Sequence, residues 1–442
     1  MHVSWKENIP AEQLENNVVE QFRQTFGEAP AGVYSAPGRV NLLGEHIDYC
    51  GGTVLPFAIE QRTFVAMGPA EGQIRAVTRQ GDAGQDNTEA SEDAVRFAEV
   101  APGKLSGWMS YVAGVPWAMA QQEGDSFSAA GREFGAQIAI DSAVPLGAGL
   151  SSSAALECSI AVGVDDLLSR QNPQRERLAE TDEGRKALAE ACIRAENEIA
   201  GASTGGMDQS ISLRAQRGNV LAIDCRDFSA SPIEIDVAQA GLAILVIDTR
   251  AHHNLSDGQY AARRESTEVA REALGVQTLR DVFPDTPTLA GAEKLLREWD
   301  DRVDSLSLPA HVDRAVIRDA VQHVWSEMAR VEECIALFAD RTEVDPADWT
   351  RLGELLNQSH DSLRDQYKVS CPELDTAVDA AREAGALGSR MTGGGFGGSA
   401  IALVRRDDVE KVAEAVATAF EKQGFTSPEF LVSAPSSAAA RH

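Results

Sequence analysis

Apolar positions recur at helical spacing over 12–26 in an otherwise polar stretch, which predicts an amphipathic helix. Next comes GVYSAPGRVNLLGEHIDYCGGTVLPFAI, residues 32–59, where short apolar runs are interrupted by glycines and charged groups. That pattern predicts a turn-rich, loop-dominated segment, a better place for a site than for a core element. Residues 71–95 are polar and predict a solvent-facing strand and loop, and 107–121 reads as a helix containing Trp108, Tyr111 and Trp117. Phe134, Ala136, Ile138 and Ile140 alternate with other residues at strand period. In VPLGAGLSSSAALECSIAVGVDDLLSR, glycines mark a turn and serines stand where N-caps precede a long apolar-rich helix. A second helix is expected over 185–200, running into GASTGGMDQSISL.

Leu242–Asp248 is a continuous apolar strand, and 257–385 is mostly helical, broken by PDTPTL and SLSLPAHV. Near the end, MTGGGFGG leads into the strand SAIALV, and a last helix covers 407–423. Strands and helices mix without strict alternation, which predicts an α+β fold. No internal repeat is visible, and a boundary near 215 would divide the chain into 1–215 and 216–442.

Charge changes the picture first. The 442 residues carry a net charge of −28, which disfavours nonspecific contact with nucleic acid or anionic lipid. Any anion this chain handles must meet positive potential built locally, from backbone amides, a metal ion and a few basic side chains. The six cysteines include no CxxC pair, so neither a disulfide framework nor a zinc site is indicated. They read as mostly buried thiols in a reducing compartment. The first residues lack a signal-peptide pattern and no long apolar run exists, so a cytoplasmic location with no membrane span is expected.

Two glycine-rich segments are candidates for cradling phosphate. In the first, Pro145, Leu146, Gly147, Ala148, Gly149 and Leu150 lead to Ser151, Ser152 and Ser153. Small residues let a backbone approach an anion, and the following helix supplies unpaired N–H groups and a positive dipole end. A generic turn and cap explains the same spelling. A dinucleotide fingerprint does not, because Ser152 stands at the third glycine and no acidic strand end follows at the expected distance. GxxxxGK[ST] does not occur. The second segment contains Gly393, Gly394, Gly395, Phe396 and Gly397, and it leads into a strand, so the dinucleotide mechanism fails there too. It reads either as a tight inter-strand turn or as a flexible wall closing on substrate.

Arg39, Glu45, His46 and Asp48 crowd one short stretch, a set suited to sugar hydroxyls, which both donate and accept hydrogen bonds. Asp208 sits in TGGMDQS between glycine-rich and apolar neighbours, either as a capping residue or as a partly buried charge.

Taken together, APGRVNLLGEHIDY (36–49), PLGAGLSSSAALE (145–157) and MTGGGFGGSAIAL (391–403) resemble, in order and spacing, the motifs of the GHMP kinase superfamily and within it the galactokinase family. The resemblance covers nearly the whole chain. It implies a two-domain fold with the site in the cleft between domains. The implied activity is transfer of the γ-phosphoryl group of ATP, with Mg²⁺, to the anomeric C1 hydroxyl of galactose, giving galactose 1-phosphate and opening galactose catabolism. It implies that Arg39 and Asp208 flank the attacking hydroxyl. Glu45, His46, Asp48, the backbone near Gly206, and Tyr260 would hold the sugar. Trp108 would pack on adenine, and Ser153 and Glu196 would serve the metal. A monomer is expected. The alternatives are a kinase for N-acetylgalactosamine, galactosamine or arabinose, or a non-catalytic galactose and ATP sensor. The intact SSSAA and Asp208 favour an enzyme. One departure is Cys50, where the family usually has asparagine, which would alter either hydroxyl specificity or a turn hydrogen bond.

Overall fold

A computed structural model describes residues 3–442 except 8, 80–90, 125–126, 128–132, 203, 252–258, 307, 310–311, 340 and 342–343. The chain opens with β1 (Ser4–Trp5), α1 (Ala11–Phe26), β2 (Gly32–Asn41), β3 (Thr53–Val54), β4 (Pro56–Glu71), β5 (Gln73–Thr78) and β6 (Ser91–Arg96). It continues through α2 (Trp108–Glu123), β7 (Phe134–Ser142), α3 (Ser152–Gln171), α4 (Asp182–Ala195), α5 (Met207–Arg214), β8 (Asn219–Asp224), β9 (Ser229–Glu234) and β10 (Leu242–Asp248). The helical region is α6 (Gln259–Leu274), α7 (Leu289–Arg302), α8 (Arg314–Phe338), α9 (Pro346–Asp365) and α10 (Pro372–Glu383). β11 (Gly388–Thr392), β12 (Ser399–Arg405), α11 (Val409–Gln423), β13 (Glu429–Ser433) and β14 (Ala440–Arg441) follow.

The strands form a six-stranded sheet ordered β14-β2-β4-β7-β5-β6, a five-stranded sheet ordered β1-β13-β10-β12-β11, and a three-stranded sheet ordered β3-β8-β9. One face of the six-stranded sheet packs on α2, α3 and α4 through residues such as Tyr34, Met67, Val112, Ile160 and Leu188. The other face receives α1 through Leu14, Val18 and Phe22. The five-stranded sheet is covered by α10 and α11, with Leu245, Val378, Ala402 and Phe420 at the contact. A contiguous division at 215 would leave β1, paired with β13, in the sheet of the second half. It would likewise leave β14, paired with β2, in the sheet of the first.

The expectation of a loop-dominated 32–59 needs correction. β2 runs unbroken from Gly32 to Asn41, and the irregular part is confined to 42–52. The strand was hard to see because nearly every residue in it is buried, so the inward–outward alternation that betrays a strand is missing. Its Pro37–Gly38 pair is absorbed at a register shift between Pro37 and Arg39. The turn that follows is not on the surface. Leu42, Leu43 and Ile47 belong to the same apolar cluster as Val324, Trp325 and Met328 of α8. Cys50, Cys158, Cys192 and Cys334 are buried and all six thiols are free. Among the described residues, no helix is long and apolar enough to cross a membrane.

Candidate active site

The end of β2 delivers Arg39 into the space where the two halves of the chain meet. Its side chain donates from Nε to Asp208 Oδ1 at 2.7 Å and from Nη2 to Asp208 Oδ2 at 2.8 Å. A third donation runs from Nη1 to the carbonyl of Gly149 at 2.6 Å. Bidentate pairing of this kind fixes orientation as well as charge. Arg39 is almost fully buried. Burial alone would lower its pKa, but Asp208 and then Glu45 hold it raised, so the guanidinium stays charged. Asp208 is the second residue of α5, preceded by Gly206 in the left-handed region at φ 96°. Asp208 thus lies in the first turn of α5, beside Arg39.

Ser151 corrects a detail of the helix-cap reading. It occupies the N-cap position of α3 but adopts φ 57°, and its hydroxyl makes no capping bond. The hydroxyl instead donates to Asp208. Among the described residues, the amides from Gly147 to Ser151 donate no hydrogen bond, and they lie next to the open start of α3.

Asp48 lies on the opposite side of Asp208. A Cβ placed on Gly205 would come within 1.9 Å of its carboxylate, so the Gly205–Gly206 turn packs directly against Asp48. Burial, then the charge of Asp208, raises the Asp48 carboxyl to about 6. Glu45 and His46, expected to hold the sugar, are themselves bonded to neighbouring groups. Glu45 accepts from the Gly393 N–H at 2.7 Å, from Thr392 Oγ1 at 3.2 Å and from Asn41 Nδ2 at 2.9 Å. His46 Nε2 donates to the carbonyl of Gly394 at 3.1 Å, and its Nδ1 meets Tyr49 Oη at 2.9 Å. Burial pushes the His46 ring down to about 3, so it is neutral. The partners assign the tautomer: a carbonyl accepts, so the proton sits on Nε2.

These bonds join the charged turn to the second glycine-rich segment. That segment is an inter-strand turn between antiparallel β11 and β12, and it is braced rather than loose. A Cβ on Gly393, at φ 86°, would meet the carbonyl of Gly149 at 2.9 Å. The two glycine segments thus pack backbone on backbone, and Ser399 Oγ donates to Ala148 O at 2.6 Å across the same seam. Cys50 turns into the core and donates from Sγ to the carbonyl of His46 at 3.8 Å, so it touches the turn's own backbone.

Ser153 and Glu196 come together, with the Ser153 hydroxyl near the Glu196 carboxylate. Glu196 opens a π-helical turn after α4, a local distortion common at functional sites. Burial, then Asp208, raises Glu196 to about 7. Gln209 Nε2 bridges Glu196 and Glu157, at 2.5 Å and 3.2 Å. Glu157 is raised as well, by burial and then by Glu196. This excess of buried negative charge, with Arg39 the nearby cation, fits a divalent ion. A hydroxyl and a carboxylate leave most of an octahedral shell to water and phosphate, as Mg²⁺ prefers. Among the described residues no cluster of three or more His, Cys, Asp or Glu could hold a metal alone.

Trp108 begins α2 and is partly buried against the α2–α4 cluster. One turn on, Tyr111 is pushed up to about 12 by burial and then by Glu196 and Glu157, which places this helix face beside the acidic group. The side chain of Tyr260 lies outside the described residues. Sequence reasoning missed Glu157, Thr392 and Gln209, although Gln209 directly follows Asp208. None of them has a spacing that separates it from an ordinary polar residue.

The galactokinase galactose-binding signature matches residues 20–69, the N-terminal domain of GHMP kinases matches 110–216 and their C-terminal domain matches 334–422. A galactokinase of Streptomyces coelicolor is 40% identical over 433 residues, covering 97% of this chain and 99% of its own. One from Chloroflexus aggregans is 36% identical, with 91% and 90% covered. Among solved structures, Lactococcus lactis galactokinase complexed with galactose superposes with a TM-score of 0.79 at 26% identity, covering 96% of this chain and 99% of that one. L. major mevalonate kinase, at 18% identity and TM-score 0.54 with 92% and 99% covered, shares the fold.

Proposed function

The chain belongs to the galactokinase family of GHMP kinases, and on that premise we propose how its own residues carry the γ-phosphoryl group of ATP to the C1 hydroxyl of galactose. The observation that carries the reading is the Arg39–Asp208 pair, bonded through Arg39 to Gly149 of the glycine segment and set near the Asp48 carboxylate, which packs against Gly205. A phosphate terminus over Gly147–Ser151 and a sugar against Asp48 would then meet at Asp208.

Phosphoryl transfer asks the protein for alignment and charge neutralisation more than for covalent chemistry. The amides of the cradle and the start of α3 offset phosphate charge without a P-loop lysine. Asp208 accepts the proton of the anomeric hydroxyl as the oxygen attacks. Arg39 holds that carboxylate in place through two hydrogen bonds and faces the transferring group. Asp48, the Gly206 backbone and Tyr260 hold the sugar's hydroxyls. Glu45 and His46 line the pocket while fastening the turn to Gly393 and Gly394, and Trp108 packs on adenine. Ser153 and Glu196 would hold Mg²⁺, which when bound neutralises the β- and γ-phosphates.

ADP release measured against galactose, N-acetylgalactosamine, galactosamine and arabinose tests the proposal. Turnover is expected with galactose and should vanish when EDTA removes the divalent ion. Absence of galactose-dependent ADP release with Mg²⁺ present would sink it.

A further inference from the structure

The backbone of the sugar turn is gripped from behind by side chains that the reaction does not use. Arg390, fully buried on β11, donates from Nη1 to the carbonyls of Asn41 at 3.1 Å and Leu42 at 3.0 Å. Glu327 Oε1 accepts the Gly44 N–H at 3.0 Å, and His323 Nε2 donates to the carbonyl of Glu45 at 3.1 Å. His323, Glu327 and Arg330 share one face of α8, four and three residues apart. Behind them, Ser359 of α9 donates to Glu327 Oε1 at 2.7 Å, Ser362 meets His323 Nδ1 at 2.9 Å, and Arg330 Nε donates to Glu327 Oε2 at 2.8 Å.

We propose that Glu327, supported by His323 and Arg390, is the positioning group that sets the peptide geometry of Leu42–His46 and thereby determines galactose affinity without touching the sugar. The inference rests on the reading that this turn binds galactose. Stability alone does not explain the arrangement. A buried ion pair is no more stabilising than apolar residues of the same volume, and these groups sit inside an apolar cluster of Leu43, Val324, Met328 and Leu356. What the turn needs is restraint. Gly44 has φ 103° and His46, a residue with a Cβ, has φ 63°. Such conformations persist where the surroundings over-determine them. Glu327 holds the amide of Gly44, and that residue precedes Glu45, whose carboxylate takes the Gly393 N–H, and His46, whose ring takes Gly394 O. Rotation of the peptide at Gly44 would therefore move Glu45, His46 and Asp48 together, while Gly147–Ser151 lies on separate elements.

The test is steady-state kinetics of the full-length enzyme with galactose and Mg-ATP, on Glu327→Ala, Glu327→Gln and Ser359→Ala. Glu327→Ala removes the acceptor for Gly44, and a rise in galactose KM of about tenfold or more is expected, with ATP KM within about twofold. Glu327→Gln keeps a carbonyl acceptor and should recover part of that loss. Ser359→Ala should give a smaller rise in the same parameter. If Glu327→Ala is not recovered as folded protein, the other two variants, nearly unchanged in volume, decide the matter. A galactose KM at the wild-type value in folded Glu327→Gln and Ser359→Ala, or galactose and ATP KM rising by the same factor, would overturn the proposal. A wild-type protein that turns over no galactose would instead overturn the reading beneath it.

Discussion

The cradle at Pro145–Ser153 and the turn at Arg39–Asp48 face each other across Asp208 but are built on opposite principles. The cradle uses short side chains, so its chemistry is backbone N–H groups, a helix start and one serine that bonds Asp208. The turn uses long and charged side chains on a backbone held by α8 and β11. On the proposed reading, the difference follows from the ligands. A polyanion is satisfied by any array of donors, and such an array works even in a chain with a net charge of −28. A sugar offers hydroxyls that donate as well as accept, so carboxylates and side-chain donors must stand at fixed places.

The sharpest break of this comparison comes at the point both regions share. Asp208→Asn is expected to lower kcat by on the order of 10² or more in a protein that stays folded, because the proton acceptor is lost while the shape remains. A near-normal kcat would remove Asp208 from the chemistry. Gly393→Val comes next. It forces a branched side chain into a φ of 86° and against Gly149 O, from a loop that also binds Glu45. Both ATP and galactose KM should rise, each by about tenfold. Movement of ATP KM alone would show that the two regions are independent. Asp48→Ala should act on one side, raising galactose KM several-fold to about tenfold while ATP KM stays put; an unchanged galactose KM would take Asp48 out of the sugar site.

The smallest effect is a pH dependence. The Asp48 carboxyl rises from 3.8 to about 6 on folding, burial being the main cause. Between those values the folded state keeps a proton that the unfolded state has lost, so stability falls as pH rises through the window. Asp48→Asn has no such penalty. Its stability relative to wild type should therefore improve from pH 4.5 to pH 7.5, by on the order of 1 kcal/mol. Chemical denaturation at the two values checks this, and an advantage that shrinks with rising pH would contradict the assignment.

Much of the fold was legible. α1, β7 and α11 carry clean periodicity because one face of each meets a core, and β10 shows as an unbroken apolar run buried on both faces. β2 was not legible, because burial on both sides erased its alternation. Ser151 looked like a cap because position and residue type match; only the neighbouring Asp208 redirected its hydroxyl. The second glycine segment read either as a tight turn or as a flexible wall because glycine content reports conformational freedom, not the contacts that remove it.

By itself the chain determined its family and most of its helices and strands, since these depend on local pattern and on motifs that survive in linear text. Only the tertiary structure decided that Arg39 grips Asp208 and Gly149 at once, that Glu45 and His46 bind the opposing glycine loop, and that Glu327 reaches back to Gly44. Each of those contacts joins residues more than a hundred positions apart. No short-range rule carries such pairings, because the free energy that selects them comes from packing the whole chain.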